Sequence, residues 1–466
     1  MTGSDRSTPA TSPRPAGTGW KPLLALFCLS LTALIWLVEL AGSLERPSVL
    51  DSLELREMEL VALAADGVPA ALRPALVGED PRGRLAEDLQ ERMEEAETPP
   101  TALSRLELTL LRPADPGRTQ DLRELAEMVD APRRPLIEAL LQGRRVEPGR
   151  QADLLAPWEP PAMVAQLSCE QLGGPAQACP ASRSRSGLLL RLLGVTVIPA
   201  LLVLVGMALL VRQFWLVGRR RLEPAAPLHG PPLSLTDVIL LIAGGFVIWE
   251  VLVSLVALPL AQSALVALAV PQSLGQGLQV LVLYLGLMSA PLLLLWLMLR
   301  HRPHRPVGGW LQWYWRPPAS ALGQAAATVL MVMPAVALTG WLIDRLWDDP
   351  GGSNPLLEQV LTSNDGRAVA CLALTAVVLA PLFEETLFRG VLLPVLGERV
   401  GAGGAIVGSA GVFALAHLSL SELAPLFVLG LGLGWLRWRT GRLACCSLMH
   451  ALWNGFTFVN LLLLAG

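Results

Sequence analysis

The sequence predicts an all-α, polytopic membrane helical bundle of about nine transmembrane helices that carries an α-helical extracytoplasmic insert. Three observations lead there. Of 466 residues, 53% are hydrophobic and only 16% charged, and the mean hydropathy is +0.50, too apolar for an ordinary soluble domain. The apolar residues gather in runs long enough to cross a hydrocarbon core about 30 Å thick. Charge is segregated as well: Glu45 to Arg185 holds 25 acidic and 17 basic residues, a net of −8 in a chain whose total is −3. No basic excess invites nucleic acid, and the composition excludes both a secreted disulfide framework and a disordered chain.

Residues 1–44 read as a cytoplasmic tail and first span. No charge interrupts Pro22 to Val38, and the apolar run continues past Glu39 to about Gly42, enough for one crossing. Arg6, Arg14 and Lys21 against Asp5 place the N-terminus in the cytoplasm by the positive-inside rule. The Ser43 region lacks a small-x-small cleavage site, so the segment reads as an uncleaved anchor. Residues 45–186 form the insert, in which recurring Leu, Glu and Arg, as from Leu122 to Val146, predict short amphipathic helices punctuated by Pro and Gly. Cys169 and Cys179 lie in it, and their pairing is left open. Cys28, Cys371, Cys445 and Cys446 fall within or beside spans, where thiols act as small apolar residues.

Residues 187–320 hold spans near Leu188 to Val211, Val238 to Leu260 and Leu278 to Leu299. Residues 321–466 hold spans near Ala321 to Ile343 and Ala368 to Phe388, and three more between Gly403 and Ala465. The connections test the orientation. Arg212, Arg219, Arg220 and Arg221, then Arg300, Arg302 and Arg305, then Arg437, Arg439 and Arg442 all fall on the cytoplasmic side. Opposite them lie Asp348, Asp349, Glu358 and Asp365. Lys21 is the only lysine, an arginine bias that suggests a GC-rich genome and hence a bacterial plasma membrane or other internal bacterial membrane. Trp310, Trp313, Tyr314 and Trp315 beside Arg316 read as an interfacial belt. Gly430, Gly432 and Gly434 read as a close-packing helix face rather than a nucleotide loop.

Ionisable side chains at membrane depth are costly unless paired or facing a cavity, and the last hundred residues carry several. Glu385 and Arg389 stand at i and i+4 with the acid first, the favourable order for an ion pair. Glu384 is turned about 100° away from that face and is free to address a cavity. Phe413 with His417, and His450 with Asn454, repeat the i, i+4 relation. His229, His301 and His304 lie in Pro- and Arg-rich loops and read as solvated. Glu250, midway along the third span, reads as a bond to a neighbouring helix. By helical rise, Glu384 and His417 both lie roughly 21 Å from their cytoplasmic ends and can meet, whereas His450 lies only about 12 Å deep. Tilt or a helix break must supply the difference, and a bend is expected near Pro381, Gly390 or Pro394. A free carboxylate and two imidazoles meeting in a low-dielectric cleft have what water activation and oxyanion stabilisation need.

The set Glu384-Glu385-x-x-x-Arg389, Phe413-x-x-x-His417 and His450-x-x-x-Asn454, in that order on consecutive apolar segments, resembles the three motifs of the CPBP family of intramembrane proteases. That family includes the type II CAAX prenyl endopeptidases and bacterial abortive-infection and bacteriocin-immunity proteins. The resemblance covers roughly Ala368 to the C-terminus and leaves out the insert. It implies that Glu384 and His417 activate the attacking water, that His450 and Asn454 stabilise the oxyanion, and that Glu385 and Arg389, with Phe413, support them. Glu384, His417 and His450 also make a possible Zn²⁺ site. No His-Glu-x-x-His signature is present, which favours a cofactor-free mechanism. The implied activity is hydrolysis of a peptide bond in a membrane-associated protein or peptide, with the lipid bilayer as the other partner. The rival is a catalytically dispensable scaffold, chaperone or immunity factor. A transporter is the third class, for which no inverted repeat speaks.

Overall fold

The computed structural model describes residues 19–45, 49–95, 99–173, 179–180, 184–221, 224–302, 308–347, 355–363 and 365–465. Asp5, Arg6, Arg14, His304, Arg305, Asp348 and Asp349 lie outside them. The chain is 81% helical with no strand among the described residues, and it is an all-α integral membrane protein.

Among the described residues eight helices are long and apolar enough to cross a bilayer: α1 Trp20–Ser43, α2 Arg185–Gly218, α3 Leu235–Ala267, α4 Gln272–Leu299, α5 Pro318–Ile343, α6 Gly366–Leu415, α7 Leu420–Thr440 and α8 Leu443–Ala465. The expected count was about nine. The difference lies in α6, whose 50 residues join the sixth and seventh expected spans. A helix of that length would run about 75 Å, far beyond one crossing. Its axis breaks at Gly401, where φ is 73° and ψ 178°, a conformation open to glycine. Gly401, rather than Pro381, Gly390 or Pro394, is the non-helical residue. Those three lie in helix beside widened π-helical turns at Leu374–Leu379 and Thr386–Leu392.

The chain divides into two compact units. One comprises residues 1–45, 219–351 and 364–453. Within it α1 packs on the π-helical part of α3, Leu240–Ile248, and Thr32 Oγ1 donates to the Ala243 carbonyl at 3.3 Å. Further along, α4 packs on α3, with Trp249 Nε1 donating to the Gly286 carbonyl at 2.9 Å. The first turns of α6 rest on α4, and α7 packs between α5 and the second half of α6. The glycine face of α7 serves this contact: a Cβ on Gly432 would stand 2.4 Å from Val332 of α5.

The other unit comprises residues 46–218, 352–363 and 454–466. Its insert is built of helices Val49–Ala64, Pro81–Glu95, Ala102–Leu111, Pro116–Met128, Arg134–Leu141, Pro148–Leu155 and Ala162–Gln171. Thr101 and Asp115 cap two of them by accepting from the Ser104 and Arg118 amides. Leu85, Leu106, Leu136, Ile137, Met163 and Leu172 form a core closed to solvent. Arg82 holds Glu170 through both carboxylate oxygens at 2.8 and 2.9 Å. Cys169 and Cys179 form a disulfide. The start of α2 packs on Val49–Ala64, and Arg191 Nε donates to the Leu463 carbonyl of α8 at 2.6 Å.

Candidate active site

The two π-helical stretches of α6 bracket an α-helical turn and a half, Ala380–Glu385. A widened turn frees backbone carbonyls that must find other donors at this depth. Ser409 Oγ donates to the Phe388 carbonyl at 3.0 Å, and Arg437 Nε to the Arg389 carbonyl at 3.1 Å. Arg437 also donates to Gln312 Oε1 at 3.0 Å and is fully buried. Its expected place among the cytoplasmic loop charges is therefore corrected: it is a structural donor inside the protein.

Glu385 and Arg389, both 0% exposed, pair at 2.8 Å. The second guanidinium nitrogen of Arg389 donates to the Gly430 carbonyl at 3.1 Å, and its Cζ stands 4.4 Å over the Phe413 ring. A Cβ on Gly430 would meet this arginine at 3.3 Å, so the α7 glycine admits it. Glu384 points the other way. Its Oε1 accepts from the Tyr284 hydroxyl of α4 at 3.1 Å. Its Oε2 makes no hydrogen bond to the described residues and stands 4.0 Å from His417 Nε2 and 3.9 Å from His450 Nε2.

Each imidazole is fixed from behind. His417 Nδ1 lies 2.8 Å from the Phe413 carbonyl; a carbonyl only accepts, so Nδ1 carries a proton toward it and Nε2 is left facing Glu384. His450 Nδ1 lies 2.9 Å from Glu385 Oε1 and donates to that carboxylate, which Arg389 also engages. Phe413 is the packing hub. Its ring meets His417 at 4.7 Å, Phe388 at 5.5 Å and His450 at 5.6 Å, all edge to face. The phenylalanine expected to pack on one histidine thus orders both.

The structure gathers Glu384, Glu385, Arg389, Phe413, His417 and His450. Asn454 lies one turn beyond His450 on α8 and is partly buried. His450, counted shallower than Glu384, still reaches it across the helices. Helix α8 starts buried, with Leu443, Ala444, Cys445 and Cys446 all 0% exposed and the Leu443 amide donating to the Gln312 carbonyl at 3.2 Å. One further group went unseen in the sequence. Tyr284 sits in an apolar span with no motif around it, and only its being one of two tyrosines in the chain sets it apart. Glu250 was visible but its neighbours were not: it lies within electrostatic reach of Glu39, Glu384 and Tyr284.

The donor set does not fit a metal centre as arranged. A tetrahedral Zn²⁺ with bonds of about 2.0–2.1 Å needs donors roughly 3.3 Å apart, and both gaps from Glu384 Oε2 exceed that. Among the described residues no group of three His, Cys, Asp or Glu side chains is placed to hold a metal ion.

Fold and site define a class: a multi-pass membrane protein with a buried glutamate–histidine cluster on its C-terminal helices. Residues 366–456 match the family model described as type II CAAX prenyl endopeptidase Rce1-like, in line with the CPBP resemblance that the three motifs carry. Residues 50–190, the insert, match a domain of unknown function, DUF8675. No curated protein and no solved structure matches the chain.

Proposed function

We propose that the chain is an intramembrane endopeptidase that hydrolyses a peptide bond in a membrane-associated protein or peptide. The observation that carries this reading is the convergence of Glu384 Oε2, His417 Nε2 and His450 Nε2. The two gaps are too long for direct hydrogen bonds. One oxygen atom about 2.8 Å from each end would bridge either gap at an angle near 90°.

The attacking water gives a proton to Glu384 Oε2, with the unprotonated His417 Nε2 as its second acceptor, and its oxygen bonds to the scissile carbonyl carbon. The carbonyl electron pair moves onto oxygen. His450 as an imidazolium, its Nδ1–H held by Glu385, turns Nε2–H to that oxyanion, and Asn454 is the second donor the motif supplies. As the oxyanion collapses the C–N bond breaks, and the proton held by Glu384 passes to the leaving amine. In a low-dielectric site such donors act more strongly than in water. No step needs a metal, and treatment with a chelator is expected to leave turnover unchanged.

The orientation belongs to this reading too: N-terminus in the cytoplasm and insert outside, in a bacterial plasma or other internal membrane. The arginines that follow α2 and α4 and the Cys169–Cys179 disulfide, a bond of oxidising compartments, support it. The test compares protein termini in membranes of cells expressing the wild type or Glu384→Gln. Termini present only with the wild type are expected. Identical sets, with the cellular phenotype kept by Glu384→Ala and His417→Ala, would favour the scaffold reading instead.

A further inference from the structure

We infer that Tyr284 is a positioning residue for this reaction, one that ties down one oxygen of Glu384 and thereby fixes the other as the base. The inference rests on the proteolytic reading. A carboxylate on a two-bond stem can present either oxygen, and near-attack geometry is lost if it rotates. Here the two oxygens are unlike. Oε1 accepts from the Tyr284 hydroxyl at 3.1 Å, while Oε2 has no partner among the described residues and faces both imidazoles.

The tyrosine is itself held in place. Its ring meets Phe383 edge to face at 6.1 Å, and Phe383, the neighbour of Glu384 on α6, meets Phe246 of α3 at 5.6 Å. The ring is thus registered against the turn that carries the carboxylate. Other hydroxyls in the membrane helices, such as Thr328, Thr339, Thr375 and Thr386, donate to the backbone carbonyl four residues earlier. Tyr284 instead reaches from α4 to a side chain 100 residues away. Packing alone would be served by phenylalanine, and the hydroxyl is then the informative atom.

The experiment uses the full chain in lipid nanodiscs. Tyr284→Phe is expected to lower kcat about 10- to 100-fold on a peptide that Glu384→Gln cuts far more slowly than the wild type, with KM unchanged. On the Glu384→Gln background it is expected to add nothing. A second readout is independent of turnover: infrared difference spectra of protein labelled with ¹³C-glutamate are expected to show a carboxylate band, lost in Glu384→Gln, that shifts in Tyr284→Phe. Wild-type kcat in Tyr284→Phe, or an unmoved Glu384 band, would overturn the inference. If Glu384→Gln itself cuts normally, the proteolytic reading fails, while the band still decides whether Tyr284 holds Glu384.

Discussion

At the scale of single residues the site is a set of polar groups each held by a partner it cannot lose cheaply. Glu385 and Arg389 are buried together, and removing one member of such a pair leaves an uncompensated charge costing about 3–5 kcal/mol. Arg389→Met is therefore expected to lower the thermal midpoint in detergent markedly, and Glu385→Gln/Arg389→Met to recover part of the loss. A pair that is dispensable to folding would show no such recovery. Phe413→Ala removes the ring shared by both imidazoles and leaves a cavity of the kind that costs about 3–5 kcal/mol. Imidazole nuclear magnetic resonances of His417 and His450 are both expected to broaden, whereas broadening of His417 alone would contradict the hub role. Much of this was legible. Spacing of i and i+4 gave the Glu385–Arg389 pair and the freedom of Glu384, because a helix fixes which side chains share a face. Tyr284 was hidden, since its meaning comes from a neighbour 100 positions away, and spacing carries no information at that range.

At the scale of elements, α6 decides where the parts stand. Its π-helical turns open carbonyls that Ser409 and Arg437 answer, and its break at Gly401 brings the segment bearing Phe413 and His417 back toward Glu384. Gly401→Ala places a Cβ on a residue with φ of 73°, a strain of about 1 kcal/mol or more. Steric room is not the issue, since a Cβ there meets nothing within 4 Å. The expected outcome is a modest loss of stability and a larger loss of turnover, measured by thermal midpoint and kcat on the same preparation. Equal turnover would mean that the break does not set the His417 position. Periodicity showed that apolar runs existed on either side of residue 401, but not that they join as one broken helix. Prolines pointed to Pro381 and Pro394, which stay in helix beside π-helical turns, whereas nothing in the periodicity singled out Gly401. Arg437 and the buried start of α8 were missed for one reason: an arginine after an apolar run looks like a loop charge until the groups that bury it are known.

At the scale of the whole molecule the chain joins a segment similar to the Rce1-like family model to an insert with chemistry of its own. Glu107 of the insert is 4% exposed, and burial, with the Glu59 carboxylate beside it, pushes its pKa from 4.5 to about 8. Burial raises Glu59 as well. Between pH 4.5 and about 8 the folded insert keeps a proton on Glu107 that the unfolded chain has released. This stabilisation is complete below the unfolded value and is lost as pH rises through the folded one, at up to about 1.4 kcal/mol per pH unit. Exchange protection of the Ala102–Leu111 amides, corrected for intrinsic rates, is expected to fall from pH 5 to pH 8 in the wild type and to fall less steeply in Glu107→Gln. Equal slopes would show that Glu107 does not titrate in this window. The central claim concerns three side chains acting on one water molecule, and kinetics of single and double variants in nanodiscs address it. With a substrate drawn from the termini comparison, Glu384→Gln and His417→Ala are expected each to lower kcat by about 10²–10⁴-fold, and the double variant to be no slower than the worse single one. Multiplicative losses in the double variant, or turnover near wild type in either single one, would contradict it.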